Sequence, residues 1–181
     1  MTAPIEIILA TAAHEAGFMA LQAANLVANI PMAHHASGFV TTPFTSEQYA
    51  TLVNERYLMV AMAEDQLIGY VVSASWDFLQ HYPIFAYMIE LLPSLSLDGV
   101  MMSEHHSYQY GPVCIDAAWR GKNLLPHMFD EAKTHMSSRY PYSLTFVNSR
   151  NHRSREAHIR KLGLQHLRDF SLGNSINCVI F

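Results

Sequence analysis

The chain has 181 residues, half of them apolar and 14% charged, which suits one globular domain with a sizeable core and excludes a disordered chain. No apolar run approaches the roughly 20 residues needed to span a bilayer, and the start, Met-Thr-Ala-Pro-Ile-Glu, has no basic leader, so a soluble, cytoplasmic protein without a membrane partner is expected, a single domain over residues 1–181. The net charge of −4 is uneven: residues 1–119 hold eleven acids and one cation, Arg56, whereas residues 120–181 hold ten cations and four acids.

Pro4 to Thr11 reads as a strand. His14 to Ile30 carries apolar residues at helical spacing (Phe18, Leu21, Leu26, Ile30) and is closed by Pro31. Met32 to Phe44 reads as a loop. Thr45-Ser-Glu-Gln48 has the capping-box pattern and opens a helix to about Asn54. Leu58 to Ala63 and Leu67 to Ser75 form a hairpin about Glu64-Asp65-Gln66. Pro83 opens a short apolar helix through Leu92, read as a flap or an interface element, with plain core packing as the alternative; a homodimer is a separate expectation.

His106 to Asp116 returns as a strand, and Leu124 to Ser137 as a helix with an apolar face of Leu125, Met128, Phe129, Ala132 and Met136. Ser143 to Val147 is a strand, and Ser154 to Leu162 a helix ended by Gly163. Leu164 to Ser171 and Ser175 to Phe181 close the chain as a strand pair around Gly173-Asn174. The predicted class is α/β (α+β): a mixed, mostly antiparallel central sheet of six to seven strands with helices on both faces.

The most informative stretch is Val113-Cys-Ile-Asp-Ala-Ala-Trp-Arg120-Gly-Lys-Asn-Leu-Leu-Pro126. It places a short turn between a strand and a helix start. The first amides of a helix lack internal partners and carry partial positive charge, so an anion docks there. Gly121 permits unusual backbone angles. Asn123 is a good N-cap residue. Pro126 is tolerated only in the first helical turn, which leaves the amides of residues 121 to 125 available to a ligand. A plainly capped helix is the alternative. The glycine and Lys-Ser/Thr pattern of a P-loop and the three spaced glycines of a dinucleotide site are both absent.

These residues resemble the GNAT superfamily of N-acetyltransferases, whose signature, Arg/Gln-x-x-Gly-x-Gly/Ala, opens a helix that binds the pyrophosphate of acetyl-CoA. Arg120, Gly121 and Lys122 match common members. Asn123 stands where Gly is usual, and Leu125 where Gly or Ala is usual. Asn151 to Leu164, with its Lys161-Leu-Gly-Leu, resembles the segment after the family's fifth strand, and the order of elements agrees along the whole chain. The resemblance implies that Val113, Cys114 and Ile115 lie along the pantetheine arm, and that Arg120, Gly121, Lys122, Asn123, Leu124 and Leu125 hold the pyrophosphate. It further implies that Asn151 and Ser154 reach the pantetheine or the phosphates, while Arg150, Arg153 or Arg155 meet the 3′-phosphate.

The implied reaction is direct attack of a primary amine on the thioester. Members that use a general base often place a Glu early in the fourth strand; by register that position is near Gln109, which cannot be a base. Tyr110, Tyr108 and His106 are the nearest substitutes, unless a bulge changes the strand's parity. The Tyr that often protonates the departing thiolate is replaced by His158, with one extra residue between it and Gly163. Tyr110 and His158 are therefore the catalytic candidates, with a structural role as the alternative for each.

The acidic first two-thirds points to a small cationic amine as acceptor. Nucleic acid is disfavoured as a partner, because the basic stretch is short and the rest of the chain repels phosphates. No metal is expected: His34-His35 and His105-His106 are adjacent pairs that diverge when extended. Cys114 and Cys178 read as buried, reduced thiols. Two further alternatives stand: an acyl-CoA-binding module without turnover, or an acyltransferase for a longer acyl-CoA, with Pro83 to Leu92 lining an acyl pocket.

Overall fold

A computed structural model of the protein describes residues 4–173 and the backbone of residues 176–180. The elements in chain order are β1 (Ile5–Leu9), α1 (Glu15–Asn25), α2 (Ser46–Asn54), β2 (Leu58–Ala63), β3 (Gln66–Ala74), α3 (Trp76–Leu79), α4 (Pro83–Leu91), β4 (Ser96–Leu97), β5 (Val100–Met101), β6 (Ser107–Ile115), α5 (Leu124–Met136), β7 (Tyr142–Leu144), β8 (Phe146–Asn148), α6 (His152–Arg160), β9 (Arg168–Leu172) and β10 (Ile176–Ile180). Strands β1-β2-β3-β6-β7 form the central sheet, antiparallel except for the β6–β7 pair. A second sheet has the order β8-β10-β9 and is antiparallel, and β4 and β5 form a small hairpin.

The single strand expected at Ser143 to Val147 is two. It is interrupted at Thr145, so its halves join different sheets. That break turns the expected six to seven strands into a sheet of five beside a sheet of three. Neighbouring residues of β3 face opposite ways. Tyr70 packs against Phe18 of α1 at 4.5 Å between ring centroids, while Gly69 lies against Met128 of α5. Helices therefore cover both faces, as expected.

Thr45 begins α2 with the predicted capping box: its hydroxyl accepts from the Gln48 amide, and the Gln48 side chain accepts from the Thr45 amide. The first helix ends five residues earlier than its apolar spacing suggests. At Leu26 the backbone turns extended and makes an isolated bridge to Val40, with Val40 donating to Asn25 O and Val27 donating to Val40 O, both at 2.9 Å. This pins the segment 37–42, read from sequence only as loop, beside the end of α1.

The apolar stretch after β3 is core, not a free flap. Trp76, Leu79, Phe85, Met88 and Leu92 are fully buried. Phe85 packs on Phe146 and Tyr87 on Phe170, so the insertion is tied to the second sheet. The last strand pair is present as β9 and β10, the former starting at Arg168 and not at Leu164. Asn174, Ser175, Phe181 and the side chain of Cys178 lie outside the described residues. Among the described residues no helix is long and apolar enough to cross a membrane.

Candidate active site

Strands β6 and β7 pair only from Ser107↔Tyr142 to Gln109↔Leu144. Beyond that point Gly111–Ile115 and Phe146–Asn148 diverge, and the space between them is a cleft. Its inner part is lined by Thr42, Gln109, Gly111, Thr145, Phe146 and His158, among others. It continues past Val113, Cys114, Ile115 and Asn151 to the turn before α5, where Gly121, Asn123, Leu124, Leu125, Arg153 and Lys161 form the outer end.

The outer end is built as an anion cradle. Among the described residues, none accepts a hydrogen bond from the amides of Gly121 to Leu125. Gly121 has φ of 82°, and nothing lies within 4 Å of where its Cβ would be. Asn123 has φ of 63° and ψ of 17°, the left-handed conformation, and its side chain makes no capping bond. That corrects the expectation of a side-chain cap. Asn tolerates this region better than other non-glycine side chains do. Leu125 is half-buried and borders both the outer end and the middle of the cleft. Leu124 is buried. Lys122 is exposed and stacks its ammonium over Trp119, 4.7 Å from the ring centroid.

Arg120 is committed to protein partners. Its side chain is engaged inside the protein: Nε donates to Ile115 O at 2.9 Å, Nη1 to Ser37 O at 3.0 Å and Nη2 to Asn25 Oδ1. It clamps the cleft wall to the strand. Asn151 is likewise committed. Its Nδ2 donates to Phe39 O at 3.1 Å, and its Oδ1 accepts from the Ser154 amide and so caps α6. Ser154 is half-buried on the cleft, its hydroxyl 3.3 Å from His158 Nδ1. Arg153 is the member of the arginine group that reaches the cleft; Arg150 and Arg155 are exposed and line none of it.

The inner end separates the two catalytic candidates. The bulge considered from sequence is present: Val71 pairs with Val113 but Ser73 with Tyr110, so β6 gains one residue. Tyr110 is thereby turned into the core under α5, its ring edge-on to Phe129 at 5.0 Å, and it lines none of the cleft. Burial drives its phenol far above the ordinary value. Tyr110 is thus a buried residue, its ring also 6.0 Å from that of His158. Tyr108, also buried, is pushed up to about 12 for the same reason.

His158 does line the cleft, 3% exposed. Its Nδ1 lies 2.7 Å from Ser154 O, and a carbonyl only accepts, so Nδ1 carries the proton. Burial lowers its pKa, partly offset by that hydrogen bond, so the ring is neutral near pH 7. A neutral imidazole suits taking a proton better than giving one to a thiolate.

Gln109 faces the cleft in place of the expected base and is 1% exposed. Its Nε2 donates to Tyr110 O at 2.9 Å, and its Oε1 has no partner among the described residues. Cys114 is 4% exposed, and burial pushes its thiol up to about 12, which suits packing and not nucleophilic attack. The residues expected to line a long acyl pocket, Pro83 to Leu92, border none of the cleft. Thr42, Gly111 and Thr145 were not singled out from sequence. Small and neutral, they carry no chemical signal until Thr145's strand break brings them together. Among the described residues no group of three or more His, Cys, Asp or Glu is placed to hold a metal ion.

No family model matches the chain, and no curated protein matches it in sequence. Solved structures do match. A putative acetyltransferase from Salmonella typhimurium, solved with its cofactor acetyl-CoA, has a TM-score of 0.62 at 14% identity, over 97% of this chain and 91% of its own. A polyamine N-acetyltransferase from Drosophila melanogaster, which forms N-acetylagmatine, has a TM-score of 0.64 at 14% identity, over 98% and 99% of the two chains. A ribosomal-protein-alanine N-acetyltransferase from Brucella melitensis has a TM-score of 0.62 at 15% identity, over 97% and 96%. The fold is that of the GNAT acetyltransferases.

Proposed function

We propose that the protein is an N-acetyltransferase that moves an acetyl group from acetyl-CoA to a primary amine of a small acceptor. The observation that carries this is the run of unpartnered amides from Gly121 to Leu125 at the mouth of a continuous cleft between diverging strands. The residues fit the cosubstrate: the amides and the α5 dipole would hold its pyrophosphate, Val113 to Ile115 would flank the pantetheine, and Arg153 and Lys161 supply charge beside the turn. When bound, acetyl-CoA supplies an acetyl group activated as a thioester, which a neutral amine can acylate itself from by displacing the thiol.

The chain's own residues orient that amine, keep water out and receive a proton. Thr42, Gln109, Thr145 and Phe146 enclose the inner end. His158, a neutral imidazole lining the same end, is the group this reading assigns as proton acceptor. The acidic composition of residues 1–119 supports an acceptor that arrives as a cation.

One observation favours a second reading, a CoA-binding module without turnover: Gln109 holds the place of a carboxylate base. Calorimetry with acetyl-CoA, followed by thiol release with a panel of amines, separates the two. Binding with acetyl transfer supports the enzyme. Binding without transfer to any amine supports the module, and no binding refutes both. Arg153→Ala should weaken acetyl-CoA binding about tenfold, and 3′-dephospho-CoA less, if this arginine meets the 3′-phosphate.

A further inference from the structure

We infer that Gln109 positions the acceptor, and that the acceptor's reacting group is an amine of low basicity, such as the α-amino group of an amino-acid amide or peptide. The inference rests on the acetyltransferase reading above and names the substrate class for that same cleft.

Among the described residues no Asp or Glu lines the inner end of the cleft. The residues whose side chains are not described, 1–3 and 174–181, include no acid either. An ammonium drawn to this cleft would leave water without a counter-charge, which costs several kcal/mol. The amine therefore enters neutral. The buried Oε1 of Gln109 is the atom that recognises it. Oε1 is an acceptor whose own amide is fixed by the Nε2 bond to Tyr110 O, and it is without a partner among the described residues. A buried acceptor left unsatisfied is costly, so it favours a ligand that donates.

Beside it Gly111, at φ of 104°, keeps space open. A Cβ there would sit 3.4 Å from Thr145 Oγ1 and 3.9 Å from Gln109 Nε2. A neutral primary amine has two N–H bonds and one lone pair. One N–H donated to Gln109 Oε1 leaves the lone pair available for attack. Attack forms the N–C bond, the C–S bond breaks, the electron pair leaves with the CoA sulfur, and the surplus amine proton passes to His158 or solvent.

Basicity then decides which amines react. At pH 7 an α-amino group with pKa of about 7.7–8.0 is neutral roughly 300 times more often than a lysine-like amine of about 10.4. An acidic exterior and a charge-free interior are compatible: the cation is attracted to the mouth and loses its proton before it is enclosed.

The test uses the full chain, saturating acetyl-CoA and two probes, alanyl-alanine amide and Nα-acetyl-lysine amide. At pH 7 kcat/KM should be about tenfold or more higher for the dipeptide amide, with the gap narrowing as pH rises to 9. Gln109→Met should lower kcat/KM for the dipeptide amide about tenfold through its KM, leaving the KM for acetyl-CoA and the thermal midpoint near wild type. Gln109→Glu restores a charged acceptor and should raise the relative rate with the lysine amide. Equal kcat/KM for the two probes at pH 7, or unchanged acceptor kinetics in both variants, overturns this inference while the acetyltransferase reading stands. Transfer to neither probe overturns the inference, and transfer to no amine in the wider panel overturns the acetyltransferase reading as well.

Discussion

Arg120 and Asn25, ninety-five residues apart in sequence, are joined by a hydrogen bond from the guanidinium Nη2 to the carboxamide Oδ1. The same guanidinium donates to Ser37 O and Ile115 O, so one side chain ties the end of α1, the cleft wall and β6 together. Asn25 is fixed in turn by its Nδ2 bond to Leu21 O. The side chain of Arg120, expected at the phosphate turn, fixes the shape of the cleft.

Arg120→Ala should therefore act on stability first. It leaves the buried Asn25 oxygen and two carbonyls without their donor, and about 2–3 kcal/mol of unfolding free energy should be lost. Urea denaturation checks this. Arg120→Lys should recover little of it, since an ammonium cannot spread three donors in one plane. A variant with wild-type stability and selectively lost CoA affinity would return Arg120 to the phosphate site.

The turn at 121–125 makes a separate backbone prediction. Asn123 at φ of 63° should accept Gly with little change, whereas Asn123→Val should cost about 1–3 kcal/mol and weaken acetyl-CoA binding, because a β-branched residue is strained there. Proline at 123 would not be a clean amide deletion. Its ring fixes φ near −65° and would break the left-handed turn. Thermal denaturation and calorimetry on Asn123→Gly and Asn123→Val check the point. Equal CoA affinity in the two variants would mean that the conformation at 123 does not matter to the ligand.

The contrast between Asn123 and Thr145 shows what the sequence carried and what it did not. Local rules located the turn, because a glycine, a polar cap and a proline in the first helical turn act within a few residues. The same rules placed α2 at its capping box and the hairpin of β2 and β3. Nothing local marks Thr145 as the point where a strand leaves one sheet for another; that is set by pairing with β10, some thirty residues away. The end of α1 has the same cause, since Val40 takes over the backbone bonds at Leu26. The places of Tyr110 and Gln109 are set for a related reason. The bulge in β6 decides which of two neighbours sees the cleft, and parity is a property of the paired sheet.

His158 makes the pH prediction. Its folded pKa lies below the ordinary value of about 6.5, because burial disfavours the charged ring. As pH falls through 6.5 the unfolded chain takes up this proton before the folded one does, so stability falls between 6.5 and the lowered value. Above 6.5 both states hold the ring neutral and the contribution is complete. The slope from this one site cannot exceed about 1.4 kcal/mol per pH unit. His158→Gln should remove that part of the acid sensitivity, read as a flatter dependence of denaturation midpoint on pH between 5 and 6.5. If the ring also receives the amine's proton, the acid limb of wild-type kcat that belongs to His158 lies below pH 6.5, and it disappears in His158→Gln along with most of the rate. A stability slope that survives the substitution would assign the acid sensitivity to another group, and a variant with wild-type kcat would leave His158 as a packing residue held by Ser154.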